Sequence, residues 1–115
     1  MFLAAQDEAR HVAFAMAHLS LHARQDPTLL SRLAIAVEQR HEALRATTGL
    51  NEEVFEALIV LASGSFEPEA IARGHGLVVE LLEQMDAGRR ARLRRLGFDA
   101  AQAGALSALH TRNFM

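Results

Sequence analysis

An all-α helical bundle is the fold this sequence predicts, and three observations predict it. Half of the 115 residues are hydrophobic, and alanine and leucine, both good helix formers, dominate. Apolar residues recur at spacings of three and four along most of the chain, and no period-two run marks a strand. Helix start and stop signals punctuate the pattern at intervals of a normal helix length. A chain of this size makes one domain, 1–115, with room for a core but not for two.

The first helix is expected to run from the N-terminus to about Arg24. Its polar strip is narrow (Gln6, Arg10, Ala17 and Arg24), and Leu3, Phe14 and Leu21 make a second apolar side. A helix apolar on most of its circumference belongs in the middle of a bundle. It carries no capping residue or acidic first turn, because Met1-Phe2-Leu3 already lies within the apolar pattern.

Asp26-Pro27 supplies an N-cap and a proline at the first helical position, which starts a second helix. Leu30, Leu33, Ala34, Val37, His41 and Leu44 form its stripe, and Gly49 stops it. Asn51 caps a third helix, whose first turn holds Glu52 and Glu53 where the helix dipole favours negative charge, and which ends at Gly64. A fourth helix starts near Pro68 and carries Ile71, Leu77, Val78, Leu81, Leu82 and Met85. Gly74 and Gly76 weaken its first half by roughly 1 kcal/mol each relative to alanine, the mark of a kink or a close helix contact. Gly88 is expected to divide this helix from an arginine-rich turn that stops at Gly97. Asp99 then caps a last short helix to about Leu109, and His110–Met115 is a tail.

Composition excludes several functions. With no cysteine there are no disulfides, thiolate metal sites or cysteine nucleophiles, and a reducing cytoplasm is the expected compartment. No apolar run is long enough to span a bilayer, so no membrane partner is expected. A formal charge of −2 provides no general field for nucleic acid. The run Arg89-Arg90-Ala91-Arg92-Leu93-Arg94-Arg95 lacks interleaved aromatics and follows Glu80, Glu83 and Asp86 at salt-bridging reach, so it reads as a solvated helix face. A helix-turn-helix over Pro68–Met85 would present an apolar, acidic recognition helix, unsuited to a groove. His75, between two glycines, reads as exposed.

The chemistry lies near the start, in Asp7-Glu8-Ala9-Arg10-His11. Residues three apart share a helix face, so Glu8 and His11 reach one common point. Carboxylate oxygen and imidazole nitrogen are donors that iron and manganese accept. The pattern fixes only two positions, and Glu38-Gln39-Arg40-His41 repeats it. What distinguishes the first copy is its setting: at about 100° per residue, Ala4, His11, Val12, Ala15, Leu19 and His22 all fall on the face of Glu8. Both donors are therefore expected on a buried face.

The stretch FLAAQDEARHVAFAMAHL resembles the C-terminal metal-ligand helix of the ferritin-like superfamily, in the branch of the ribonucleotide reductase small subunit and related di-iron oxidases and oxygenases. The resemblance implies a four-helix core and an oxidoreductase whose cofactor is iron, as a di-iron or a Mn/Fe pair. It implies metal-ligand roles for Glu8 and His11, and for Asp7 that of the acidic residue that hydrogen-bonds a ligand histidine and fixes its tautomer. It covers about the first twenty residues. A full centre takes about four carboxylates and two histidines, and this helix supplies one of each. The chain is thus expected to be an incomplete half of the four-helix core plus C-terminal helices, completed by upstream helices of a longer protein or by a homodimer. Alone, it is expected to hold iron weakly or not at all.

A second route runs through Glu38 and His41. His11 lies fifteen residues before Asp26 and His41 fifteen after it, so a hairpin sets them at similar height. Two such hairpins would bring together enough donors for the four carboxylates and two histidines of a full centre; the other role open to His41 is at the core edge, donating to a carbonyl. Two functional classes follow. One is a ferritin-like di-metal oxidoreductase or a part of one; the other is a non-catalytic helical interaction domain that keeps the packing without the metal.

Overall fold

The computed structural model describes residues 2–45 and 52–111, and these form five α-helices with no strand among them. They are α1 (Phe2–Gln25), α2 (Leu29–Arg45), α3 (Glu52–Ser63), α4 (Pro68–Leu96) and α5 (Ala100–Thr111). The stop expected at Gly49 and the cap expected at Asn51 lie outside the described residues.

Local chemistry explains most boundaries. The Asp26 carboxylate accepts bonds from the Thr28 amide at 2.9 Å and its hydroxyl at 2.7 Å. That turn absorbs Pro27, so α2 begins at Leu29, two residues later than Asp26-Pro27 alone implies. Gly64, at φ +72°, ends α3. Pro68 opens α4, where its missing N–H costs nothing. Gly97, at φ +122°, closes it, with the Gly97 amide bonded to the Arg94 carbonyl at 3.0 Å and that of Phe98 to Leu93 at 3.2 Å. This pairing is a Schellman stop, sealed by the buried Phe98. Asp99 and Gln102 then cap α5 reciprocally, through bonds of 2.8 and 3.2 Å.

One expected boundary is absent. α4 runs unbroken through Gly88 and carries the whole arginine stretch, so that stretch is helix rather than turn. A single glycine costs a helix roughly 1 kcal/mol, too little to end one flanked by seven arginine and alanine positions of high propensity.

α4 is the spine, touching α1, α3 and α5, while α2 packs on α5 and α1. The main core gathers Met16, Leu96, Phe98, Ala103 and Leu106, with Leu19, Leu30, Leu33 and Leu93 against it. A second contact lies between α3 and α4, where Ala70, Gly74 and Val78 are buried. Gly74 is the close approach the sequence indicated: a Cβ there would lie 2.6 Å from the Ile59 carbonyl oxygen.

The bundle is open. It measures 55 × 33 × 24 Å with a radius of gyration of 16.8 Å, where a compact chain of this length has about 13 Å. No helix among the described residues is long and apolar enough to cross a membrane.

Candidate functional site

α1 reaches the core only through its C-terminal half, where Met16 is buried and Leu19 packs beside it. Its N-terminal half stands clear, and every described side chain from Ala4 to Ala15 is exposed. Glu8 and His11 are therefore exposed, which corrects the expectation of a buried face. The shared orientation with Ala4, Val12 and Ala15 is a property of helix geometry, but no described residue of the bundle buries it. Val12 is 44% and Phe14 74% exposed, so apolar surface as well as the two donors is left to solvent.

Glu8 borders an open groove between α1 and α4, with a cavity volume of about 730 Å³. Ala9, Val12, Ala13 and Met16 make its apolar floor, and Arg92 and Arg95 stand on the α4 side. Asp7 faces Arg10 at 3.5 Å, an exposed pair of little energetic weight.

The Glu-x-x-His of α2 is placed differently. Glu38 is exposed and His41 half-buried. The carbonyl partner expected for His41 is not found at Nδ1, which is buried without a hydrogen bond. Among the described residues no three histidine, aspartate or glutamate side chains converge where one ion could sit. Glu8 and His11 thus remain a pair, and the hairpin does not add Glu38 and His41 to them within one chain.

The structure also shows two arrangements that motif reading passed over. On α1, His18 and His22 meet at 4.4 Å between ring centroids and 67° between planes, and Phe14 stacks on His18 at 6.0 Å and 10°. Their spacing of four residues was visible in the sequence. On α4, Asp86, which pairs with Arg90 at 2.8 Å as the spacing of the arginine run indicated, also accepts a hydrogen bond from Ser107 of α5, the part that was not foreseen. The Arg89 side chain donates to the same Ser107 hydroxyl at 3.1 Å, so the arginine run is partly a packing face and not wholly solvated. His75 is exposed, edge-on to Phe55 at 6.1 Å.

Comparison with protein-family models, curated proteins and solved structures finds no match to this chain.

Proposed function

We propose that the chain is part of a ferritin-like di-metal carboxylate protein, in which α1 contributes Glu8 and His11 to an iron centre completed by other helices. Those helices belong to an upstream part of a longer polypeptide or to a second copy. The observation that carries this is the open sector of α1. Two metal-type donors and the apolar residues Ala4, Val12 and Ala15 lie on one side of the helix, and none of them is used by the chain's own core.

Surface area supports the same reading. The chain exposes 8446 Å², whereas a compact monomer of 12.6 kDa exposes about 6,200 Å². The excess of about 2,200 Å² is more than the roughly 800 Å² that one partner contributes to a stable interface. Covering the sector would desolvate Glu8, and a buried carboxylate demands a cation, a metal or a proton. A carboxylate and an imidazole fit iron or manganese as two ligands of a larger set. Bound iron would supply oxygen activation; the contribution of Glu8 and His11 is to hold and orient it, with Asp7 free to reorient from Arg10 towards an incoming histidine.

The test is iron content together with oligomeric mass, for the chain alone and with Glu8→Ala and His11→Ala. Iron held by the associated species and lost in both variants supports the proposal. Tight stoichiometric iron in a monomer, indifferent to either variant, would sink it. The alternative, a helical association module without metal, is favoured by the exposure of Glu8 and His11. It predicts an iron-free assembly that both variants leave intact.

A further inference from the structure

His18 and His22 sit one turn apart on α1, both exposed, in a region where the helix is regular. The spacing i, i+4 places two imidazoles on one face, an arrangement by which helices hold transition metals. Here the rings touch edge to face, with centroids 4.4 Å apart, and a turn about their side-chain torsions brings one nitrogen of each towards a shared ion with bonds of about 2.0–2.1 Å. No acidic side chain among the described residues joins the pair. Two imidazoles without carboxylates select a borderline ion such as zinc, nickel or copper over calcium or magnesium.

Two ligands are half of a structural zinc site, which is four-coordinate and tetrahedral. A two-fold dimer supplies the other half, because an isologous interface presents the same side chains twice. We propose that His18 and His22 form one arm of a transition-metal site, and that a second copy of this chain contributes the matching arm. Phe14 and Leu21 flank the pair and are 74% and 48% exposed, which supplies apolar surface around the ion for the second copy to cover. The chain's excess surface, about 2,200 Å² over a compact monomer, is enough for such an interface. This site lies two to three turns from His11 and does not depend on the iron centre proposed above.

The experiment is titration of the metal-free full chain with zinc, followed by calorimetry and sedimentation, with cobalt as a coloured substitute. The expected result is one zinc per two chains, a mass moving to that of an even-numbered assembly, and a tetrahedral cobalt band. His18→Ala and His22→Ala are each expected to abolish all three, while the Glu8→Ala/His11→Ala double variant keeps them. Both histidines are exposed, so helicity by circular dichroism is expected to be unchanged in every variant. No zinc uptake, uptake of one ion per chain, or uptake that survives loss of either histidine would overturn the proposal. The cobalt band reports the site whatever the mass of the metal-free chain.

Discussion

Ser107 of α5 donates its hydroxyl proton to Asp86 of α4 across 21 positions of sequence, with 2.5 Å between the oxygens. Ser107 is fully buried, the one buried polar side chain among the described residues. Its oxygen also accepts from Arg89 at 3.1 Å, and Asp86 in turn holds Arg90 at 2.8 Å. A serine on an otherwise apolar helix face therefore fixes how α5 is rotated and slid against α4. Packing of Ala103 and Leu106 alone would be less particular about register.

Ser107→Ala is expected to destabilise the fold by about 1–3 kcal/mol, the usual result of removing one partner from a buried hydrogen bond to a charged group. The volume change is small, so a cavity adds little. Denaturant titration measures the loss as a lower midpoint at unchanged slope. An unchanged midpoint would show that the α4–α5 register is held by apolar contact alone.

Acid sensitivity follows from two carboxylates. The Ser107 hydroxyl, helped by Arg90 and Arg89 and opposed by burial, holds Asp86 below the ordinary aspartate value. The Thr28 hydroxyl and amide, with Arg32, do the same for Asp26. A carboxyl lowered in the folded state binds its proton more readily when unfolded. Its contribution is complete above the unfolded value, near pH 4, and is lost as pH falls through the lower folded one. Stability is thus expected to be flat in these two groups above about pH 5 and to decline below about pH 4. In Ser107→Ala that decline is expected to be shallower, which thermal melts at stepped pH will read.

Much of this architecture was legible in the sequence, because capping and helix-stop chemistry is local. Asp99, Gly97, Pro68 and Gly64 each act within a few residues, and each stands where its side chain or backbone freedom requires. Gly88 misled because an isolated glycine is a small penalty that a long helix absorbs. The exposure of Glu8 and His11 was not legible. Periodicity shows which residues share a face, but whether that face is covered depends on which helices reach it, and α1 meets the core only from Met16 onward. The Asp86–Ser107 link was hidden for the same reason, since nothing local to either residue names a partner 21 positions away.

The two glycines of α4 are expected to respond in opposite directions. At Gly76 a Cβ would meet nothing within 4 Å, so Gly76→Ala should stabilise by up to about 1 kcal/mol through helix propensity. At Gly74 it would meet the Ile59 carbonyl at 2.6 Å and Ser63 at 2.9 Å, both on α3. Pushing α3 away costs about 1–3 kcal/mol, more than the propensity gain. Gly74→Ala should therefore lower the melting temperature while Gly76→Ala raises it. A rise in both would mean that α3 yields freely.

The exposed N-terminal half of α1, apolar on two sides, makes a prediction about association that holds with or without metal. Val12 and Phe14 are 44% and 74% exposed, on a helix whose own core contact begins at Met16. Covering a large apolar side chain yields about 1.5–3 kcal/mol, and each 1.4 kcal/mol is about a factor of ten in affinity. The chain is therefore expected to associate as its concentration rises, and Val12→Glu or Phe14→Glu should each weaken that association by tenfold or more. Neither substitution removes a core contact, so helicity and the unfolding midpoint at high dilution are expected to stay the same. Sedimentation over a wide concentration range separates the outcomes. A mass independent of concentration in the parent chain, or association unaffected by both variants, would show that neither exposed side of this half of α1 is the one that seeks a partner. The next surface to vary would then be the α3–α4 groove, where Leu61, Leu77 and Leu81 are 78%, 55% and 50% exposed.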